Sequence, residues 1–346
     1  MFYARLLVLL GLLVAMDASA LPVNKRSASP VNGLQADQLA VVVNDDDANS
    51  VAVAKYYRQV RHIPERNVVH VHIPGSPRKL DVAQFDALKQ QIDGGIGPDI
   101  QAIVLVWTAP YAVECNSITS ALTLGFDAAQ CKNTCAPGKT SPYFNSNSRR
   151  PYADLGIRIS MLLPTESIEK AKSLIYRGLV SDFRLQSATA YYLNTSDRQR
   201  SVRAQFFPSS RRIPQLKFQI KNMYGNEISG QKDIMIYETG LPSVPKLDTL
   251  GFLPGALADH LTSSGGDLLE TNQMSSLRWL DAGATASYGT VSEPCNYWQK
   301  FPQPKILLSH YLAGETAVEA YWKSLVWPMQ GVVIGEPLAA PYRRKM

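Results

Sequence analysis

The stretch LAVVVNDDDANSVAVAKYYRQVRHIP, residues 39–64, decides the fold class. It begins with a short β-branched run, which is typical of a strand that is buried on both faces of a parallel sheet. Apolar residues then recur at helical spacing, namely Val53, Tyr56, Tyr57 and Val60. Ser50 is the predicted N-cap of this helix, and Pro64 ends it. A strand followed directly by an amphipathic helix indicates a β-α-β unit.

The residues that follow repeat this pattern. An apolar run over 68–73 predicts a second strand, and the next helix has Asp81 as its expected N-cap. One face of that helix carries Val82, Phe85, Leu88 and Ile92. A third run, 100–107, completes a β-α-β-α-β series with short connections. This order predicts a parallel sheet with right-handed crossovers.

Residues 108–165 break the pattern, because they are rich in turn residues and contain three of the four cysteines. We interpret them as an insertion held by a disulfide. Beyond them, helices are expected over 168–182, 273–281 and from Thr316, which has Glu319 at capping-box spacing. The expected strands are 188–193, 233–237, 284–291, 331–334 and a shorter one over 247–252. The predicted fold class is therefore α/β, with a mostly parallel sheet flanked by helices and a cysteine-containing insertion.

The N-terminus has the order of a secretory signal. Arg5 precedes an apolar run over 6–16, and Ala18-Ser19-Ala20 follows as a small-residue cleavage pattern. The run is too short to cross a membrane. The mature protein is thus expected to be exported to the periplasm or outside the cell, with no integral membrane segment after cleavage. The predicted divisions are a signal peptide (1–20), an N-terminal extension (21–37), a first βαβαβ half (38–107), the insertion (108–165) and a second α/β half (166–346).

The composition is that of a globular protein and excludes some functions. The chain has 346 residues, of which 45% are hydrophobic and 18% are charged, and its formal net charge is +6. No dense stripe of lysine and arginine occurs, so we predict no nucleic-acid partner. No G-x-G-x-x-G or Walker loop occurs either, and we predict no cofactor.

The four cysteines, Cys115, Cys131, Cys135 and Cys295, all lie in the expected mature chain. An even number of cysteines in an exported protein predicts disulfides, and four cysteines allow three connectivities. A short bridge between Cys131 and Cys135 is sterically reasonable and would leave Cys115 to pair with Cys295. A zinc site is the rival interpretation, although no second close Cys/His pair has zinc-finger spacing.

Two polar clusters follow predicted strands, where parallel sheets bind their ligands. Asn44 and Asp45 begin an acidic run that could hold a hard cation or could cap the next helix, and we favour capping. His70 and His72 alternate on one strand and could chelate a metal. Partly buried histidines with one hydrogen bond each are the preferred interpretation, so no metal site is predicted.

The segment GALADHLTSSGG, residues 255–266, carries the candidate catalytic groups. An imidazole beside a carboxylate and hydroxyls can support nucleophilic catalysis. The candidates are Asp259, His260, Ser263, Ser264 and, from the later segment YGTVSEPC, Cys295 with His260 or His310 as its base. The alternatives are a plain helix from Gly255 to Gly265 and a disulfide at Cys295.

Several longer motifs resemble a family of exported bacterial proteins of unassigned activity. These are VVVNDDDANSVAVAKYY (41–57), YAVECNSITSA (111–121), SPYFNSNSRRPYADLGIR (141–158), GALADHLTSSGG (255–266), GATASYGTVSEPCNYWQKFPQP (283–304) and GEPLAAPY (335–342). The family occurs in genomes that carry exosortase, the PEP-CTERM protein-sorting system. The resemblance implies a role beside that system, with exported cell-surface proteins or polysaccharide as partners.

The order of elements in the second half also resembles gingipain-like peptidases of the caspase fold, which implies a three-layer sandwich. In those enzymes a His-Gly turn follows one strand and the nucleophilic cysteine follows the next. The corresponding turns here read Thr239-Gly240 and Pro254-Gly255, so the resemblance implies a scaffold without the usual dyad. Thr239 and Gly240 are accordingly candidates for a ligand-binding rim, together with Asn44 and Asp45.

Three functional hypotheses follow. The first is an exported, non-peptidase protein that is accessory to surface or matrix biogenesis. The second is a peptidase-like hydrolase with relocated catalytic residues around His260. The third is a carbohydrate- or peptide-binding module that uses exposed aromatic side chains, namely Tyr297, Trp298 and Phe301.

Overall fold

The computed structural model describes residues 32–270 and 272–344. The predicted signal peptide and most of the predicted extension lie outside these residues. The strands of the described part are β1 (Leu39–Asn44), β2 (Val68–Val71), β3 (Lys79–Leu80), β4 (Ala102–Val106), β5 (Ala112–Val113), β6 (Asn116–Ser117), β7 (Ile159–Leu162), β8 (Ala188–Asn194), β9 (Arg211–Ile213), β10 (Phe218–Tyr224), β11 (Ile234–Thr239), β12 (Phe252–His260), β13 (Ala286–Thr290) and β14 (Gly331–Gly335).

Helices connect most of these strands. They are α1 (Ala48–Arg61), α2 (Val82–Gly95), α3 (Ile118–Leu124), α4 (Ala128–Lys132), α5 (Pro151–Leu155), α6 (Ile168–Ser181), α7 (Leu277–Asp281), α8 (Pro304–Leu312) and α9 (Ala317–Ser324). None of the described helices is both long and apolar enough to cross a bilayer.

Eleven strands form one sheet in the order β2-β1-β4-β7-β14-β13-β12-β11-β8-β10-β9. Most neighbours are parallel, including β1 with β2 and β4, and β12 with β11 and β13. The antiparallel pairs are β13 with β14 and β9 with β10. A small second sheet has the order β3-β5-β6. The predicted fold class is confirmed: helices flank a mostly parallel sheet.

The helix starts follow from capping chemistry. The side chain of Asp47 accepts a hydrogen bond from the amide of Asn49 and so begins α1. Ser50, the predicted cap, lies inside the helix instead, and its hydroxyl accepts a hydrogen bond from the amide of Asn44 at 2.9 Å. Asp81 caps α2 as predicted, and Thr316 forms the predicted capping box at the start of α9.

Two further sequence predictions of local structure are wrong. Residues 255–260 belong to strand β12 rather than to a helix, and residues 261–265 form the loop that follows it. Residues 247–249 form a short 3-10 turn before that strand, so the predicted strand over 247–252 is absent from the described fold. Strand β7 lies between β4 and β14 although its residues fall inside the predicted insertion.

A buried ion cluster connects α1 to the residues that follow α6 and β14. Glu336, which is fully buried, accepts hydrogen bonds from the hydroxyl of Tyr57 at 2.7 Å and from Nε of Arg61 at 3.0 Å. Arg61 also pairs with Asp182 at 2.7 Å. A buried carboxylate requires such partners, because an unpaired charge in the interior is costly.

Gly178 on α6 leaves the space that this cluster occupies. A Cβ atom at residue 178 would lie 2.2 Å from Oε2 of Glu336, whose side chain is held by two partners. We expect Gly178→Ala to lower the free energy of unfolding by about 1–3 kcal/mol, as overpacking does. Urea denaturation measures the change. Gly94→Ala on α2 is the matched control, because no atom lies within 4 Å of its Cβ position, and equal losses in both variants would contradict the expectation.

Candidate site at the carboxyl edge of the sheet

The segments that follow β2, β4 and β12 meet at one edge of the sheet. The hydroxyl of Tyr111 donates a hydrogen bond to Asp267, and Arg78 forms an ion pair with Glu270. Lys79 lies 3.4 Å from Asp267. Because ligands of parallel sheets bind beyond the carboxyl ends of the strands, this edge is where a functional site is expected.

The polar residues after β1 make hydrogen bonds that stabilise the turn between β1 and α1. Asn44 is fully buried, and its side-chain oxygen accepts hydrogen bonds from the amides of Asp46 and Ile73, both at 3.2 Å. Asp45 lies 2.7 Å from Nδ1 of His70. These contacts fix the turn into α1 and agree with capping, the interpretation that we favoured.

His70 on β2 and His72, which follows the strand, are more exposed than predicted. The side chain of His70 is 58% exposed and that of His72 is 66% exposed, because β2 is an edge strand of the sheet. Each makes one carboxylate contact, and a hydrogen bond to Asp46 raises the pKa of His72. Among the described residues, no three His, Cys, Asp or Glu side chains are grouped to hold a metal ion.

Thr239 is the last residue of β11 and Gly240 follows it, and both residues are buried. Thr239 is buried, and its carbonyl accepts a hydrogen bond from Arg203 at 3.0 Å. A Cβ atom at Gly240 would lie 1.9 Å from the carbonyl oxygen of Arg200. This turn is therefore tightly packed and needs a glycine at residue 240, and the ligand-binding rim stays a prediction.

A second, fully buried ion cluster involves residues near the ends of β11 and β12. Glu238 on β11 and Asp259 on β12 are register partners, so both side chains project from the same face of the sheet. Arg203 forms an ion pair with Asp259 and lies 3.8 Å from Glu238. Burial raises the pKa of Glu238 well above its ordinary range, Arg203 opposes this rise, and Asp259 adds to it. One cation thus serves two carboxyl groups, and the excess negative charge favours a shared proton.

Asp259 cannot orient His260, because consecutive residues of a strand point to opposite faces. The imidazole of His260 is buried against Trp279, whose indole Nε1 donates a hydrogen bond to Nδ1 at 2.9 Å. Burial, reinforced by the positive charge of Arg203, lowers the pKa of His260 to about 3. The imidazole is therefore neutral at physiological pH, and Nδ1 is already occupied.

This lowered pKa predicts a pH-dependent contribution to stability. In the unfolded chain His260 has a pKa near 6.5 and is protonated below that pH, whereas in the folded state it stays neutral down to about pH 3. The contribution of neutral His260 is therefore full above pH 7 and is lost as the pH falls. In urea titrations, we expect the wild type to lose about 2 kcal/mol relative to His260→Gln between pH 7.5 and pH 5. A stability difference that stays constant with pH would contradict this assignment.

Ser263 and Ser264 lie in the loop after β12, which is tightly fixed by other residues. The hydroxyl of Thr290 donates to the carbonyls of Thr262 and Ser263 at 3.1 and 3.0 Å. The amide of Ser264 donates to the side chain of Gln273 at 3.0 Å. In the described residues, neither serine hydroxyl makes a hydrogen bond to a histidine or a carboxylate that could act as its base.

All four cysteines form disulfides. Cys115 pairs with Cys131, and Cys135 pairs with Cys295, with Cα–Cα distances of 5.3 and 5.1 Å. The short bridge between Cys131 and Cys135 is therefore not formed. Cys295 has no free thiol in this state and cannot be a nucleophile. No thiolate of these four cysteines remains to bind zinc.

His310 and the aromatic residues that follow Cys295 contact other parts of the chain. Nδ1 of His310 lies 3.0 Å from Glu315, far along the chain from the loop after β12. Phe301 is fully buried, and the ring of Trp298 packs on Phe206 with centroids 4.3 Å apart. Tyr297 packs edge-on against Trp327. Tyr297 and Trp298 are half-buried and each packs on a different ring, so the three residues do not form the fully exposed aromatic platform of the third hypothesis.

An open groove runs between the segments that follow β7 and β12. It consists of two adjoining cavities of about 670 and 380 Å³. Both cavities are lined by Glu166, Leu277, Arg278 and Asp281. Lys170 closes one side through its ion pair with Asp281 at 2.9 Å. We call this groove, which lies beside the carboxyl edge of the sheet, the edge groove.

Arg203 and Trp279 were not among the residues predicted from the sequence, although they are the partners of Asp259 and His260. A signal for Arg203 exists, because Glu238 interrupts the apolar strand IMIYET (234–239), and a buried carboxylate needs a cation. The chain has 35 basic residues, however, and spacing alone does not select one of them. No comparable signal links Trp279 to His260.

Comparisons with known proteins give only distant likenesses. No protein-family model matches the chain, and no curated protein matches it. Among solved structures, the Arg-specific cysteine proteinase gingipain R is similar, with 12% identity and a TM-score of 0.41 over 90% of this chain and 80% of that chain. The complex of the pro- and mature domains of RgpB from Porphyromonas gingivalis is similar with 11% identity and a TM-score of 0.43, over 88% and 79%.

Proposed function

We propose that this protein is an exported, non-catalytic binding protein that acts in building the cell surface or extracellular matrix. It would work beside the exosortase sorting system, as the motif resemblance implies. Its partners would be exported cell-surface proteins or polysaccharide. The edge groove is the surface that would hold such a partner, because it is concave, adjoins the carboxyl edge and combines apolar with charged side chains.

One observation carries the non-catalytic part of the proposal: the candidate catalytic groups are engaged elsewhere. His260 is buried with Nδ1 bonded to Trp279, and Asp259 is paired with Arg203. Cys295 is bonded to Cys135. Nucleophilic catalysis needs a nucleophile within hydrogen-bond reach of a base, and none of these groups meets that condition.

Export is supported by the two disulfides. Such bonds form and persist in oxidising compartments and are rare in reducing ones. The predicted secretory signal is consistent with this compartment.

Deletion of the gene in the host bacterium, followed by complementation, tests the proposal. We expect deletion to release sorted surface proteins or matrix into the medium, as quantified by mass spectrometry of cell and medium fractions. A triple variant, His260→Gln with Ser263→Ala and Ser264→Ala, should restore the wild-type distribution. If this variant is folded and exported but fails to complement, the non-catalytic reading is wrong.

Charge reversal in the edge groove tests the binding surface separately. The double variant Glu166→Lys with Arg278→Glu should fail to complement, because it inverts the charge pattern of the groove. Glu227→Lys with Arg198→Glu is the matched control, since both residues are exposed and neither lines the groove. Full complementation by the groove variant would show that partner binding does not use this surface.

A further inference from the structure

A second concave surface lies away from the carboxyl-edge site, between α8 and the chain that leads into β9. It has a volume of about 380 Å³. Its walls are Pro208, Ser209, Arg211, Lys305, Leu308, Ser309 and Leu312. The four α8 residues recur at spacings of three and four, so one face of this helix forms one wall. We call this surface the α8 depression.

The α8 depression carries positive charge without any compensating carboxylate. Arg211 and Lys305 are both exposed, and no aspartate or glutamate is among the lining residues. Within the described part of the chain, neither Arg211 nor Lys305 takes part in an ion pair, whereas Arg200 and Arg203 each pair with a carboxylate. Two unpaired cations that face one depression attract an anionic group.

The depression runs along the whole of α8, because its lining extends from Lys305, the second residue of the helix, to Leu312, the last one. Ser209 adds a hydroxyl that can donate a hydrogen bond to a carboxylate oxygen. The hydroxyl of Ser309 donates to the carbonyl of Ile306 at 3.0 Å and can still accept a hydrogen bond from a ligand hydroxyl. Leu308, Leu312 and Pro208 supply an apolar wall. Charge, hydroxyl groups and an apolar wall together suit an acidic sugar unit, which has a carboxylate, hydroxyls and an apolar ring face.

We infer that the α8 depression binds the carboxylate-bearing units of an acidic polysaccharide. A single-stranded nucleic acid fits less well, because its bases stack on aromatic side chains and none lines the depression. The α8 depression is a different surface from the edge groove, and the inference rests only on the residues that line the depression. The net charge of +6 favours a polyanionic partner in general.

Titration of the full mature protein with trigalacturonate, followed by NMR chemical shifts and calorimetry, tests the inference. We expect shifts at α8 and β9, and Arg211→Gln with Lys305→Gln should weaken binding by about tenfold or more. Lys55→Gln with Arg66→Gln is the matched control, because it removes the same charge from exposed positions elsewhere and should leave the affinity unchanged. The fully methyl-esterified trisaccharide has the same rings without the charge and should not bind.

Four outcomes would overturn the inference. They are no binding of trigalacturonate, shifts confined to other surfaces, equal weakening in both double variants, and equal affinity for a short oligothymidylate. The last outcome would indicate a general anion surface rather than a saccharide site. Because Arg211 and Lys305 are exposed, the single variants remain available if the double variant fails to fold, and the position of the shifts does not depend on any variant.

Discussion

Arg203→Met is expected to lower the free energy of unfolding by about 3–5 kcal/mol, because it leaves two buried carboxyl groups without a cation. The side chain of Arg203 is 1% exposed, and those of Glu238 and Asp259 are fully buried. Water cannot replace the lost charge at such a depth. Urea denaturation at pH 7, monitored by tryptophan fluorescence, measures the loss.

A triple variant separates charge from packing. Adding Glu238→Gln and Asp259→Asn to Arg203→Met removes the uncompensated charge and keeps the volumes similar. We expect this triple variant to recover a large part of the stability, because whole buried ion clusters can often be replaced at small cost. If Arg203→Met alone stays within about 1 kcal/mol of the wild type, the cluster does not have the role assigned to it.

Loss of the bond between Cys135 and Cys295 is expected to cost a similar amount. This disulfide closes a loop with a sequence separation of 160 residues, and the chain-entropy estimate for such a loop is about 5 kcal/mol. The double variant Cys135→Ser with Cys295→Ser, compared with the wild type in urea without reductant, measures the effect.

The second disulfide provides the matched comparison. Cys115 and Cys131 are separated by 16 residues, for which the same estimate gives about 3 kcal/mol. We therefore expect the serine variant of the long-range bridge to be the less stable of the two. The reverse order would mean that loop entropy does not govern these bonds. Peptide mapping without reduction checks the pairing itself and should yield no peptide that links Cys131 to Cys135 alone.

The fold was predictable wherever local pattern and topology agree. β1, α1, α2 and α6 have clear periodicity and caps, and their positions are close to the predicted ones. The error at 255–265 has a physical cause. GALADHL contains small and polar residues that are compatible with a helix, and pairing with β11 and β13 holds it extended instead. The preference of this segment for the extended conformation comes from pairing with its neighbouring strands, which local propensity does not show.

The candidate site was less predictable, because it depends on which side chains meet in space. Adjacency of Asp259 and His260 suggested a catalytic pair, whereas alternation along a strand sends them to opposite faces. That conclusion required knowing that the segment is a strand. The pairing of Cys295 with Cys135 likewise depends on bringing together residues that lie far apart in the sequence. Sequence spacing favours disulfides that close short loops, and it therefore suggested a bridge between Cys131 and Cys135.

Covalent labelling is the sharpest test of the proposal that this protein is non-catalytic. The purified, unreduced protein is exposed to a fluorophosphonate, which reacts with activated serine, and to iodoacetamide, which reacts with thiolate, and its intact mass is measured. Among the described residues, the hydroxyls of Ser263 and Ser264 make no hydrogen bond to a histidine or a carboxylate, and all four cysteines are bonded in disulfides. We therefore predict an unchanged mass with both reagents. A stoichiometric adduct at one residue, abolished when that residue is substituted, would contradict it.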